Sequence, residues 1–268
     1  MTSPSLRVER VRHPLKMRQL TVARVEPLAG GLLARITFTG EDLHDFVTAS
    51  FDDHVKVFFP PQPGLALALP EIGPDGLRFA RDQPRPAARD YTPRRFDREA
   101  RELVLDFVLH GDGPAGSWAA QARPGQVLGI GGPRGSFVVP LAFDWHVLIG
   151  DETALPAIAR RLEELPETAQ ALVVIEIPSH ANRLALPSRA RAEVRWLARD
   201  AGDPGLAEAA AALRLPPGEG YVWVAAESAV AKAVRIAMVE RHGIDKSRIR
   251  AASYWKRGAA AVHESHDD

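Results

Sequence analysis

Hydrophobic and polar positions follow two different grammars on either side of about residue 140. From about Gln19 to Pro140, short apolar segments are divided by Gly, Pro and Asp: "TVARVEPL", "LLARITFT", "HVKVFFP", "GLRFA", "ELVLDFVLHG", "QVLGIGG" and "GSFVVP". Such segments, alternating in places, predict antiparallel strands forming a sandwich or small barrel. One helix interrupts them at "GPAGSWAAQA".

After "PLAFD" the segments lengthen. Predicted strands "WHVLIG", "ALVVIEI", "AEVRWLA" and "YVWVAA" alternate with helices "TALPAIARRLEEL", "PGLAEAAAALRL" and "ESAVAKAVRIAMVERHG". The last helix carries Val230, Val234 and Met238 at spacing four, with Gly243 as a stop. That order predicts a parallel α/β domain. The fold class is therefore β plus α/β with two domains: an antiparallel β-barrel over residues 15–140, then a parallel nucleotide-binding type over residues 143–268 with a C-terminal tail.

Composition narrows the chemistry. Lys+Arg and Asp+Glu are equal at 34 each, which removes any global electrostatic case for a nucleic-acid or membrane-surface partner. The 268 residues include no cysteine, so disulfides, thiolate zinc and iron–sulfur sites are excluded and redox chemistry needs a bound cofactor. No metal site is expected, because His263 and His266 of the tail lack a supporting helix and a third ligand. The start "MTSPSLRVERVRHPLKMRQLTV" has no apolar signal core and no segment reaches the ~18 apolar residues of a span, so a cytoplasmic protein is expected.

"GIGGPRGSF" is glycine-rich, yet Pro133 interrupts it and a strand-like "SFVVP" follows where a dinucleotide fingerprint needs a helix. It reads as a bend at the end of the barrel presenting Arg134. "IGDETALPAI" lies where a strand becomes a helix. Gly150 frees the backbone and Thr153 is the expected N-cap, and helix amides there serve either simple capping or a pyrophosphate. "HGDGPAGSWAAQA" sets Gly111, Gly113 and Gly116 around a second helix start, with Ser117 placed to donate. Two such starts after strands suit FAD and NAD(P)H together.

Within "ARDYTPRRFD", Arg89, Tyr91 and Thr92 match the Arg-x-Tyr-(Ser/Thr) strand of flavin enzymes. Together with "DDHVKVFFP", "LDFVLHGDGPAGSWAAQARPGQVLGIGGPRGSF", "LIGDETALPAI" and "SYWKRG", which in order span nearly the whole chain, this resembles the ferredoxin-reductase superfamily. The closer resemblance is to the siderophore-interacting proteins, FAD-dependent ferric-siderophore reductases. It implies that Tyr91 lies against the isoalloxazine, Thr92 near its N5 and Arg89 against phosphate. Arg94, Gly113, Ser117 and Trp118 complete the implied flavin set, and His110 is either a core histidine or, from its place before the phosphate loop, a further flavin contact. Gly150, Asp151, Glu152, Thr153 and Glu227 are the implied nicotinamide-side residues, although Ala225, Ala226 and Glu227 stand where ferredoxin reductases carry Cys-Gly-Pro.

An edge-strand lysine pointing to water is the simple account of Lys56. The resemblance instead puts it in a basic cleft for the iron chelate, with Arg134 and Lys256 or Arg257. Asp53 and His54 read as strand-entry residues. Tyr254 and Trp255 either pack in the core or cover the flavin, and Arg183 in "SHANRL" is placed for a 2′-phosphate. The implied activity is reduction of Fe(III) in an anionic siderophore by NADPH or NADH through FAD. No side-chain acid or base is required, and a monomer is expected. The alternative is a general NAD(P)H-flavin oxidoreductase without siderophore specificity.

Overall fold

The computed structural model describes residues 6–61, 67–74, 76–80, 84–109, 113–258 and 264–265. The chain packs as two units, Val8–Val139 and the chain from Pro140 onward.

The first unit contains β1 (Glu9–Arg12), β2 (Met17–Leu28), β3 (Leu33–Thr39), β4 (Val55–Phe59), β5 (Glu71–Gly73), β6 (Gly76–Arg78), β7 (Ala87–Tyr91), β8 (Arg95–Asp97) and β9 (Glu102–Val108). Helix α1 (Pro114–Ala120), β10 (Val127–Gly131) and β11 (Gly135–Val138) complete it. Seven strands form one sheet in the order β7-β4-β10-β2-β3-β9-β8. The two ends of that ladder, β7 and β8, are joined by Thr92–Arg94 alone. Extended chain of that length spans about 14 Å, so the sheet has to curl until its edges approach each other. That curl is the antiparallel barrel the short strands predict. Its interior holds Leu20, Val22, Ile36, Phe38, Val55, Val57, Phe59, Leu105, Phe107, Leu128 and Ile130.

Strand β1 is not legible in the sequence. "ERVR" is exposed throughout, so no alternation marks it, and it exists because β11 offers an antiparallel partner, Glu9 opposite Val138 to Arg12 opposite Gly135.

The second unit contains β12 (Trp145–Asp151), α2 (Leu155–Glu164), β13 (Gln170–Ile177), β14 (Arg191–Ala198), α3 (Leu206–Ala211), β15 (Gly220–Glu227), α4 (Ser228–His242), β16 (Ile249–Trp255) and the short β17 (Glu264–Ser265). The order is β14-β13-β12-β15-β16-β17; the first five strands are parallel and β17 is antiparallel to β16. β12 is buried at every position and β15 at all but its last, as central strands of a parallel sheet covered on both faces must be. Helix α4 ends at Gly243, whose φ of 66° is the left-handed stop the sequence predicts.

Candidate functional site

Period-two alternation sorts the β4–β7 ladder into two faces. Tyr91 is opposite Val55 and Arg89 opposite Val57, while Asp90 is opposite Lys56. Val55 and Val57 are fully buried in the barrel core, so Tyr91 and Arg89 share the inner face and Lys56 and Asp90 the outer one.

Tyr91 is half-buried. Its ring centroid lies 4.2 Å from that of Phe107 and 6.4 Å from that of Phe59. The same two phenylalanines hold Trp118 of α1, at 6.0 and 5.8 Å. Tyr91 and Trp118 are thus fixed by shared neighbours, and each residue stays partly exposed. Burial pushes the Tyr91 phenol up, and the Arg89 charge offsets part of that rise. Thr92 and Arg94 are buried beside it, and the Arg94 N–H donates to Val104 O at 2.9 Å. Half-buried Arg89 donates to the Ala88 carbonyl at 2.7 Å. Gly113 precedes α1 in an exposed, extended conformation and Ser117 is half-buried; among the described residues no side chain caps the first turn. His110 lies outside the described residues. A partly exposed tyrosine with a guanidinium two positions before it and a hydroxyl one after it fits a planar flavin carrying a diphosphate tail.

On the outer face the Lys56 ammonium donates to Asp90 Oδ1 at 2.7 Å. Arg134 is exposed on the bend between β10 and β11. Buried Arg18 braces that bend by donating to the Gly132 carbonyl at 3.0 Å while also pairing with Asp45 at 2.9 Å. Gly132 has φ 93°, and a Cβ on Gly135 would sit 2.6 Å from the Val11 carbonyl oxygen, so both glycines are dictated by backbone geometry.

In the second unit the carboxyl ends of the parallel strands, where ligands bind in open α/β sheets, carry a knot around Asp151. Its Oδ1 accepts from the Thr153 N–H at 2.9 Å and from the Thr153 hydroxyl; its Oδ2 accepts from the Glu227 N–H at 3.1 Å and the Trp255 indole N–H at 2.8 Å. Asp151, rather than Thr153, is therefore the cap of the turn that leads into α2, since its carboxylate accepts from the amide two residues on. Burial pushes the Asp151 carboxyl up to about 6, aided by the charge of Glu152 and opposed by the Thr153 and Trp255 hydrogen bonds. A Cβ on Gly150 would lie 2.4 Å from Ala154 Cβ and 2.6 Å from the Ala225 carbonyl oxygen, so the glycine permits close approach of the turn to β15.

Glu152 is buried and held bidentately by Arg199, at 2.6 and 2.9 Å, which also reaches Glu176 at 3.1 Å. Glu227 caps α4 through the Ala229 and Val230 amides, at 2.7 and 3.3 Å, and its other oxygen accepts from the Arg257 N–H at 3.2 Å. Burial by itself raises the Glu227 carboxyl, but those three amides and the Arg257 charge outweigh it and the net shift is down. Alternation along β16 separates the two aromatics left open by the sequence. Tyr254 packs edge-on against the core residue Trp223, with centroids 6.1 Å apart, while Trp255 leaves 37% of its surface exposed. Lys256 and Arg257 follow it and are exposed.

Sequence reasoning missed Asp90 and Arg199. Asp90 lay inside the flavin motif, and cross-strand pairing with Lys56 was the only signal for it. Arg199 comes from the end of a different strand than Glu152, so no local spacing joins them.

The profile described as "Siderophore-interacting FAD-binding domain" matches residues 21–137, and that described as "Siderophore-interacting protein" matches residues 143–258. The NADPH-dependent ferric-chelate reductase of Escherichia coli (strain K12) is 38% identical over 252 residues, 92% of this chain and 96% of the relative. The chain belongs to the siderophore-interacting protein family. Within it, the ferric vibriobactin reductase ViuB of Vibrio cholerae is 36% identical over 87% of this chain and 88% of its own. The crystal structure of a siderophore utilization protein from T. fusca superimposes with TM-score 0.86 at 37% identity, covering 95% of this chain and 98% of that one. The ferredoxin reductase in carbazole 1,9a-dioxygenase, 16% identical with TM-score 0.66 over 88% of this chain and 68% of its own, shares the fold.

Proposed function

We propose that the chain is an FAD-dependent ferric-siderophore reductase that draws electrons from NADPH or NADH and reduces chelated Fe(III) to Fe(II). The observation that carries this reading is the inner face of β7, where Tyr91 is braced by Phe107 and Phe59 with Arg89 beside it. The match of residues 21–137 to a siderophore-interacting FAD-binding domain supports a flavin reading of that arrangement.

Tyr91 offers the ring face, Arg89 meets phosphate, and Thr92 places a hydroxyl at the edge of the ring. Arg94, Gly113, Ser117 and Trp118 shape the surrounding wall, and His110 belongs to the same set. When bound, FAD converts a two-electron hydride donor into single-electron steps. Each NAD(P)H thus serves two ferric chelates and releases one proton. No side chain has to move that proton, so the protein's contribution is position and charge. Gly150 and Thr153 present the strand-end turn to the nicotinamide nucleotide. Asp151, Glu152 and Glu227 support it indirectly, since their oxygens are engaged within the unit. Lys56, Arg134, Lys256 and Arg257 attract the chelate. Fe(II), of lower charge, is held less tightly by hard oxygen ligands and leaves.

No helix among the described residues is long and apolar enough to cross a membrane. We place the activity in the cytoplasm and in a monomer. The test is the visible spectrum of the purified protein, followed by anaerobic addition of NADPH or NADH, a ferric siderophore and an Fe(II) trap. Flavin absorbance, its bleaching by the nucleotide and stoichiometric Fe(II) are expected. Turnover of quinones or dyes without ferric chelates would return the chain to general flavin reductase chemistry.

A further inference from the structure

Lys56 does not present a bare charge. It projects from the outer face of β4 directly opposite Asp90 of β7, and the two side chains meet at 2.7 Å. The lysine side chain is 40% exposed and the aspartate 23%, so an incoming ligand faces both partners at once. Among the described residues each is the other's only recorded ionic partner. A paired cation and anion act on a distant ion as a dipole, whose attraction fades faster with distance than that of a single charge. Arg134 is exposed on the bend that follows β10, three residues beyond Gly131, which is paired with Lys56.

From this pairing we infer that Asp90 is a specificity-determining residue that weakens the site's preference for trianionic tris-catecholates relative to ferric chelates of low net charge, such as neutral tris-hydroxamates. The inference rests on the proposed role of Lys56 in receiving the chelate. Its physical content is a like-charge penalty: a trianionic chelate close enough to contact the Lys56 ammonium also approaches the Asp90 carboxylate, whereas a neutral chelate feels neither the full attraction nor the repulsion. The Lys56 donors then act as hydrogen-bond donors to chelate oxygens more than as a source of long-range field.

The decisive measurement is equilibrium binding of redox-inert gallium(III) chelates, a trianionic tris-catecholate and a neutral tris-hydroxamate, to the FAD-loaded protein and to Asp90→Asn and Lys56→Ala. Asp90→Asn is nearly isosteric, and circular dichroism with flavin content reports that the variant is folded. In the asparagine variant the ratio of tris-catecholate to tris-hydroxamate affinity should rise about three- to tenfold at low salt, as expected for one charge removed near a trianion. The gain should shrink as salt shortens the Debye length. Lys56→Ala should move the ratio in the opposite direction.

An unchanged ratio in Asp90→Asn, with a fall in Lys56→Ala, overturns the role of Asp90 and leaves that of Lys56 standing. An unchanged ratio in both variants removes Lys56 from the chelate site and the inference with it. Reduction of ferric chelates by the FAD-loaded wild type with NAD(P)H, measured separately, tells failure of the specificity inference from failure of the reductase assignment.

Discussion

The indole N–H of Trp255 donates to Asp151 Oδ2 at 2.8 Å, joining the end of β16 to the end of β12 across 104 residues of sequence. The same oxygen accepts from the Glu227 amide at the end of β15, so one carboxylate ties together three adjacent strand ends. Trp255→Phe keeps an aromatic ring but removes one of the two donors to the buried Asp151 Oδ2. A loss of about 1–3 kcal/mol is expected, to be read from urea or thermal unfolding. Stability equal to wild type would show that this bond contributes nothing.

Asp151 should also leave a signature in the pH dependence of stability. Its carboxyl titrates at about 6 in the folded chain against 3.8 without the fold's influence. Between those values the folded state keeps a proton that the unfolded chain has lost. The stabilisation this gives is complete below 3.8 and lost as pH rises to about 6. Asp151→Asn has no proton to lose, so its deficit relative to wild type should be largest near the bottom of that window and shrink toward neutral pH. Paired unfolding curves at several pH values measure the difference; a constant deficit contradicts the assignment.

Tyr91→Ala should release FAD, since one wall of the proposed flavin site disappears together with its packing on Phe107. Aromatic contacts of this kind contribute about 0.5–1.5 kcal/mol beyond area burial. Tyr91→Phe keeps the ring and should retain much more flavin. The ratio of visible to ultraviolet absorbance after gel filtration reports both.

Gly150→Ala tests close approach in the second unit. Its new methyl would be placed 2.4 Å from Ala154 Cβ and 2.6 Å from the Ala225 carbonyl oxygen, and a main-chain atom cannot step aside cheaply. Overpacking of this sort costs about 1–3 kcal/mol or more, so a clear fall in melting temperature is expected. An unaltered melting temperature would mean that the turn relaxes without penalty.

Breaking the Glu152–Arg199 pair offers a further check. Arg199→Ala leaves a buried carboxylate without its bidentate partner. The arginine is 42% exposed and Glu152 can recover some solvation through the space it vacates, which limits the loss to about 1–3 kcal/mol. Denaturant midpoints measure that cost, and an unaltered midpoint would show the pair to be dispensable.

The order of apolar segments was enough to separate an antiparallel barrel from a parallel α/β unit, because period-two runs with turn formers and longer strand–helix alternations are local patterns. The residues around Tyr91 can be grouped from the sequence alone, since they are adjacent in it. Only the tertiary structure decided how the charged residues pair. Lys56 and Asp90 are 34 residues apart and Glu152 and Arg199 47, so their partners follow from strand register and the meeting of strand ends. The same holds for the cap at Asp151: sequence spacing pointed to Thr153, but the bond that counts depends on which oxygen the fold turns toward which amide. β1 shows the limit most plainly, for "ERVR" has no strand pattern of its own and becomes one only because β11 leaves an edge for it to pair with.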